Sequence, residues 1–379
     1  MHRVALALLR GPGARRERPR DPTGERAPRS FVFDERFAPV WDETILDDLR
    51  TASYGPEWWR LAQEVQRRSN EYDAIVTWGE RLSLALTALQ CFTRTRKPHI
   101  AMMGQFGKPN TQIPLRLFAK SLHAVITWTS VQRRYLIEHL GFPSERIYLV
   151  RHYADQLFYS PRAAKVDTIC SVGAEMRDYP TLIEALRGTE LRCHMAADHV
   201  RIPHRLRLVK DRRIPLDTLT VPSDAMVTIG RKTLTELRDL YARSRFVVVP
   251  LVPSDSDNGV TVILEAMAMG KPVICSRTRG QVDVVQDGVT GIYVPVGDSA
   301  ALRVAMLSLW NAPERAQAMG LRARAYVEQH HTLEGFASSV RSAIEAALEG
   351  RPAPDTWWVG ESSSSTLSEG SLSIQSDDR

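Results

Sequence analysis

Short apolar runs alternate with longer amphipathic segments along most of the chain. In the N-terminal part, runs with the length of buried strands lie at 4–9, 74–77, 99–103, 124–127 and 147–150. Segments with helical spacing of apolar residues lie between them, at 41–68, 81–92 and 132–140. Strands that alternate with helices are typical of a parallel sheet with helical crossovers. This part is therefore predicted to be an α/β domain.

The same alternation restarts after 152–165, a stretch without periodic apolar positions. Predicted strands follow at 168–172, 246–250, 272–275 and 291–294, and predicted helices at 181–186, 234–244, 260–269, 302–310 and 333–348. A chain of 379 residues is too long for one ordinary core. We therefore expect an N-terminal domain at 1–160 and a C-terminal domain at 161–332, both Rossmann-like.

Two stretches depart from this pattern. Residues 11–29 form a basic segment rich in Pro, Gly and Arg, and are predicted to be a loop. Residues 351–379 are Ser-rich and acidic, and they offer too little apolar surface to offset the entropy of ordering, so a disordered tail is expected.

The charge and composition narrow the classes of partner. The formal net charge is +6, with basic runs at 10–20 and 201–213. We favour solvated loops for both, although the first run is compatible with an anionic membrane surface. Aromatic residues do not interleave with either run, which argues against nucleic acid.

No apolar run approaches the ~20 residues that cross a bilayer. The cysteines lie far apart, without a Cys-x-x-Cys pair, which favours a reducing compartment. We expect a cytoplasmic protein, with peripheral contact at the inner face of the membrane left open.

The most informative segment is 247–270, VVVPLVPSDSDNGVTVILEAMAMG. It predicts a buried strand, a polar loop from Ser254 to Asn258, and a helix that opens at Gly259 and stops at Gly270. Such a helix start presents backbone N–H groups and a positive dipole end at the carboxyl edge of a parallel sheet. The segment therefore predicts an anion site, where Gly259 lets a diphosphate approach the backbone.

Glu265 lies two turns into this predicted helix and shares a face with Thr261, four residues earlier. An ionised carboxylate among Ile263, Leu264 and Met267 is costly unless it meets water or a partner. A ribose diol would satisfy it, and so would a salt bridge to a neighbouring Arg or Lys. The spacing alone does not separate the two.

The same segment resembles the donor-binding signature of the family 4 glycosyltransferases, the "glycosyl transferases group 1" domain. The matching residues are Asp257, Gly259, Glu265, Ala266, Met267, Ala268, Gly270, Pro272 and Val273. Further similarity lies at 287–291 and 294–298, at the strand end 171–173, and at 126–161 before it. The resemblance implies the GT-B fold, in which two Rossmann-like domains face a central cleft, and a last helix at 333–350 that crosses back to the N-terminal domain.

The resemblance also implies roles for individual residues. Glu265 would bind the ribose hydroxyls, Asp257 and the backbone at 258–259 would approach the sugar and diphosphate, and cations of the Gly173 and Gly230 loops would neutralise the phosphates. The predicted donor-binding residues are Gly173, Arg177, Arg231, Lys232, Asp257, Asn258, Gly259, Val260, Thr261 and Glu265. Of these, we assign catalytic roles to Asp257, Arg177 and Lys232.

The expected activity is transfer of a hexose-type sugar from a nucleotide-diphosphate sugar to a hydroxyl acceptor, which is a glycan, a glycolipid or a small molecule. The resemblance implies retention at the anomeric carbon. The helix start and the cations could together match a divalent metal, so no metal and no separate cofactor are expected.

The N-terminal domain departs from the family. It is abbreviated, without a Gly-Gly loop after the first strand, and Gly104-Gln105-Phe106-Gly107 stands where the family often carries a histidine. Two alternatives follow: a degenerate relative that binds a nucleotide sugar or a partner without catalysis, and a sugar-nucleotide epimerase on the same plan. An epimerase would convert a donor alone, whereas a transferase needs an acceptor.

Overall fold

The structure is a computed structural model that describes residues 4–8, 28–29, 31, 41–44, 57–93, 96–104, 106, 109–118, 121–202 and 212–354. The predicted basic loop at 11–29 lies outside these residues except for its last two positions. The predicted tail at 351–379 likewise lies outside them beyond residue 354.

The N-terminal half of the chain builds a parallel sheet in the order β2-β1-β3-β4-β5-β6. Its strands are β1 (Val4–Leu8), β2 (Trp41–Thr44), β3 (Ala74–Trp78), β4 (His99–Met102), β5 (Ala124–Thr127) and β6 (Ile147–Leu149). The helices of this half are α1 (Glu57–Arg67), α2 (Glu80–Cys91), α3 (Pro109–Phe118) and α4 (Ser130–Leu140). Strands β4 and β5 are buried at every position, as expected for a sheet that is covered on both faces.

A second parallel sheet follows, in the order β11-β8-β7-β12-β13-β14. Its strands are β7 (Thr168–Val172), β8 (Cys193–Ala196), β11 (Val227–Ile229), β12 (Ser244–Val249), β13 (Val273–Ser276) and β14 (Gly291–Val294). Between β8 and β11, strands β9 (His199–Ile202) and β10 (Arg212–Pro215) form a separate antiparallel pair. The helices here are α5 (Tyr179–Leu186), α6 (Leu234–Arg243), α7 (Val260–Ala268), α8 (Ser299–Trp310) and α9 (Pro313–His330).

Three sequence expectations need correction. The predicted helix at 41–68 is an edge strand at Trp41–Thr44 and a shorter helix at Glu57–Arg67. The basic run at 201–213 is not a simple loop, because its ends pair in the β9–β10 ladder. The sequence also left helices α3 and α9 unassigned, although α9 packs against α7.

Over the described residues, the chain passes between the two sheets twice. The first crossing follows β6, and the second precedes the last helix, α10 (Leu333–Leu348). Helix α10 packs Leu333, Phe336 and Val340 into the core of the first sheet. The crossings touch where the Ala154 amide donates to the carbonyl of His331 at 3.0 Å. The predicted domain boundaries stay a prediction.

Candidate functional site

A cavity of about 460 Å³ lies between the two sheets, at the carboxyl ends of their strands. The first half contributes Trp78, Gly79, Glu80, Met102, Met103, Gly104 and Trp128, and the crossing contributes His152. The second half contributes Gly173, Ala174, Glu175, Arg177 and residues 256–262. The cavity therefore gathers most of the predicted donor-binding residues, namely Gly173, Arg177, Asp257, Asn258, Gly259, Val260 and Thr261.

Two glycines let the backbone of the second half line this cavity. Gly173 and Gly259 have φ angles of 97° and 86°, which side chains disfavour. A Cβ on Gly173 would lie 2.8 Å from Nη2 of Arg177, and one on Gly259 would lie 2.8 Å from Cγ1 of Val249. Both positions therefore require glycine for conformation and for space.

Arg177 is a buried cation at the floor of the cavity, with 3% of its surface exposed. Its Nε donates to the carbonyl of Val172 at 2.9 Å, and its Nη1 donates to the carbonyl of Glu175 at 2.8 Å. Among the described residues, no carboxylate forms an ion pair with it, and burial lowers the pKa of its guanidinium. A buried charge without a counter-ion is costly, so this arrangement favours an anionic ligand.

Helix α7 begins beside Arg177. Gly259 is its N-cap residue and provides no side chain to cap the free amides of the first turn. A Cβ on Gly259 would lie 3.4 Å from Nη1 of Arg177, so the helix start and the guanidinium are adjacent. Their positive potentials add at one point of the cavity.

Asp257 faces the same cavity from the loop before α7. Nε2 of His152 donates to its Oδ2 at 2.9 Å, and Nε2 of Gln132 approaches its Oδ1 at 3.4 Å. Neither residue was predicted as a site residue. The resemblance covered the segment 126–161, but nothing in the sequence said which of its side chains reach across the cavity.

Glu265 does not line the cavity. It is partly exposed and lies one turn beyond Thr261, which does line it. The hydroxyl of Tyr241 donates to its Oε2 at 2.9 Å, and burial raises the pKa of Glu265 to about 7. Within the described ranges no Arg or Lys forms an ion pair with it. Its contact with a ribose stays a prediction.

Arg231 and Lys232 are not brought to Arg177. Arg231 is exposed over 80% of its side chain and approaches Asp198 at 3.4 Å. Lys232 lines a second depression, together with His194 and Thr228. The reason lies in the sheet order, because their loop follows the edge strand β11, and β8 separates that strand from β7. Of the three predicted cations, Arg177 lines the cavity, whereas Arg231 and Lys232 do not.

The comparison with known families agrees with this geometry. The family profile "Glycosyl transferases group 1" matches residues 182–312, which run from α5 to the end of α8. The D-inositol 3-phosphate glycosyltransferase of Nocardia farcinica is 28% identical over 236 residues, covering 57% of this chain and 52% of that protein. Residues 182–312 of this chain are thus similar to the group 1 glycosyltransferases. It spans about half the length of the curated relatives it matches.

Solved structures show the fold of this chain. Sucrose-phosphate synthase from Thermosynechococcus elongatus superposes with a TM-score of 0.66 at 15% identity, covering 92% of this chain and all of that one. HepE of Anabaena, solved in complex with UDP-glucose, gives 0.65 at 14% identity, covering 91% and 100%. The predicted α/β, GT-B architecture is confirmed.

A further contact joins the two halves of the chain. Oδ2 of Asp283 accepts from the backbone N–H of Ser130, the first residue of α4, and its Oδ1 accepts from the Ser130 hydroxyl, both at 2.7 Å. A carboxylate at a helix N-terminus is stabilising. Among the described helices, none is both long and apolar enough to cross a membrane.

Proposed function

We propose that this chain transfers a hexose-type sugar from a nucleotide-diphosphate sugar to a hydroxyl acceptor, with retention at the anomeric carbon and without a metal ion. The observation that carries the proposal is Arg177, a buried cation that lines the cavity beside the start of α7 and has no carboxylate partner among the described residues. The diphosphate of a sugar nucleotide is an anion that could bind between Arg177 and the start of α7. The names of the relatives point the same way, since the curated one is a glycosyltransferase and the HepE structure holds UDP-glucose.

The reaction breaks the bond between the anomeric carbon and the diphosphate, so negative charge grows on the leaving group. The start of α7 would stabilise that charge by up to about 2 kcal/mol. Each charge-assisted hydrogen bond from Arg177 would add about 1.5–3 kcal/mol. Asp257 lies on the same wall of the cavity, where it can accept hydrogen bonds from the sugar hydroxyls.

The first half would then hold the acceptor. Its contribution to the cavity includes Trp78, Trp128, Met102 and Met103, and Glu80 is the carboxylate among its lining residues. Closure of the two halves would exclude water from the reacting carbon. An acceptor hydroxyl that enters from this side would face the donor sugar across the cavity.

The donor can be identified by a thermal-shift screen of UDP-, GDP- and ADP-sugars. Selective binding stabilises the folded protein in proportion to the logarithm of ligand concentration over the dissociation constant. Incubation of the selected donor with and without an acceptor panel then separates the alternatives. Transfer or slow hydrolysis would exclude a catalytically inactive relative, and epimerisation of the donor alone would contradict the proposal.

Metal independence has its own test. We expect transfer or hydrolysis to persist in excess EDTA, because Arg177 and the start of α7 supply the positive charge that a divalent ion would otherwise bring. The rate should stay within about twofold of the untreated rate, a difference of less than 0.5 kcal/mol. Complete loss of activity in EDTA, restored by Mg²⁺ or Mn²⁺, would contradict this part of the proposal.

A further inference from the structure

Asp257 depends on the opposite half of the molecule for its orientation. Its backbone carbonyl has neighbours in the second half, accepting from Val260 and lying 3.5 Å from the Gln281 amide. Its carboxylate has its hydrogen-bond partners elsewhere. Within the described residues these partners are His152 and Gln132, and both come from outside the second sheet. The side chain of a predicted donor-binding residue is therefore set by residues 105 and 125 positions earlier in the chain.

His152 is the closer of these partners and is itself held firmly. Its ring packs on Trp128, with centroids 5.2 Å apart. Its backbone carbonyl accepts a hydrogen bond from Nδ1 of His331 at 2.7 Å. Burial lowers the pKa of His331 to about 3, so that residue is neutral at ordinary pH, and this hydrogen bond places its proton on Nδ1. His152 thus stands on the double crossing that joins the halves.

Because a carboxylate accepts hydrogen bonds, the 2.9 Å contact requires a proton on Nε2 of His152. Gln132 is less well placed toward Asp257. Its amide nitrogen already donates to the carbonyl of Gly104 at 2.7 Å, and its oxygen accepts from the Thr127 hydroxyl at 2.7 Å. The histidine is therefore the main restraint on the carboxylate.

Gly104 makes room for this arrangement. A Cβ at Gly104 would lie 2.8 Å from Cδ1 of Trp128 and 3.2 Å from Nε2 of Gln132, so the indole and the amide occupy the space that a side chain would need. The same indole supports the ring of His152. In this chain the imidazole in the cavity consequently comes from the crossing and not from the loop after β4.

We propose that His152 is a positioning residue, which holds the Asp257 carboxylate in the orientation that meets the donor sugar. The inference rests on the proposed function, since it concerns the same donor site. It assigns His152 to the sugar end of the donor and not to the diphosphate end, which lies against Arg177 and the start of α7. Loss of the imidazole should therefore weaken recognition of the sugar alone.

The test compares a sugar nucleotide with the nucleotide that lacks the sugar. UDP-glucose and UDP are titrated by calorimetry, or the matching GDP or ADP pair if the donor screen selects it. For His152→Ala we expect the dissociation constant of the sugar nucleotide and the value of KM to rise about tenfold, which corresponds to about 1.4 kcal/mol. The dissociation constant of the nucleoside diphosphate should change less than about twofold, because it makes no sugar contact.

Two further variants separate positioning from structural support. His152→Gln can still donate from its amide nitrogen, and should recover at least about a third of the wild-type kcat/KM, a deficit of less than 1 kcal/mol. In an Asp257→Asn background, His152→Ala should cost less than about twofold further, because coupled residues are non-additive. His139→Ala is the matched control, since His139 is an exposed histidine on α4 that stacks on Tyr135.

The outcomes are distinguishable. Equal losses for the sugar nucleotide and the nucleoside diphosphate, additive effects with Asp257→Asn, or unchanged binding would overturn the role of His152 while the wild-type activity stands. A wild-type protein that binds and turns over none of the sugar nucleotides would overturn the proposed function, and this inference with it.

Discussion

The two walls of the cavity are built differently. The wall from the second half consists of glycine-lined backbone, a helix start and a buried guanidinium. The wall from the first half is mainly aromatic and apolar, with Trp78 and Trp128 at 5.9 Å between ring centroids and Glu80 as its carboxylate. The difference indicates that one wall is already arranged for an anion, whereas the other offers flat apolar surface.

The stability of the two walls also has different sources. The second wall is local, because Arg177, Gly173 and Gly259 are held by the ends of β7 and β12 and by α7. The first wall depends on a distant helix, since Phe336 of α10 packs behind both indoles, at 5.8 Å from Trp128 and 6.4 Å from Trp78. Changes to α10 therefore reach the first wall directly, and reach the second through Trp128 and His152, which contacts Asp257.

The largest expected effect is on the second wall. Arg177→Met should lower kcat/KM for the donor about a hundredfold, because it removes a charge-assisted contact worth about 3 kcal/mol. Arg231→Ala, on an exposed arginine of the Gly230 loop, is the matched control and should cost less than about twofold. Steady-state kinetics with the screened donor measures both, and circular dichroism checks that the variants fold. Equal losses of kcat/KM in the two variants would contradict the assignment of the second wall to the donor diphosphate.

Glu265 comes next. Glu265→Ala should lower donor affinity or turnover at least about tenfold, the effect of losing about 1.4 kcal/mol. The pKa of about 7 adds a pH dependence. A ribose diol donates to the ionised carboxylate, so the affinity for UDP-glucose should rise between pH 6 and pH 8. For Glu265→Gln, calorimetry should show a UDP-glucose affinity that does not change with pH. If the wild-type affinity is equally independent of pH, the predicted contact between Glu265 and the ribose is wrong.

The same residue predicts a change in stability. Its folded pKa of about 7 lies above the ordinary value of 4.5, so the folded state holds the proton more tightly than the unfolded state. The stability that this contributes is fully present below pH 4.5 and is lost as pH rises toward about 7. Glu265→Gln should therefore flatten this part of the curve of unfolding free energy against pH.

The smallest expected effect is on the first wall. Trp78→Ala removes apolar contact worth about 1 kcal/mol, and should lower kcat/KM for an acceptor from a panel of monosaccharides and polyols about fivefold. Hydrolysis of the donor should change less than about twofold. Trp59→Ala is the control, because Trp59 lies on α1 and 36% of its surface is exposed. If Trp78→Ala lowers donor hydrolysis as much as transfer to the acceptor, the first wall does not bind the acceptor separately from the donor.

The local elements of the second half were largely predictable. Runs such as Thr168–Val172 and Val273–Ser276 are buried and apolar, and α7 starts at the glycine that the pattern indicated. The elements at the sheet margins were not predictable from the sequence. Trp41–Thr44 lies at the sheet margin, where pairing with β1 and not its own apolar pattern makes it a strand. Strand β11, at the margin of the second sheet, was missed for a similar reason, and the interior strand β8 was missed because its four residues alternate between buried and half-buried.

The sequence by itself determined that Asp257, Gly259 and the start of α7 belong to one site, because they are neighbours in the chain and a strand-loop-helix unit positions them locally. The tertiary structure decided which other groups join them. Strand order placed Arg177 at the cavity and Lys232 away from it. The double crossing brought His152 to Asp257 over 105 positions. Such contacts depend on how the chain returns between the two sheets, which local patterns do not encode.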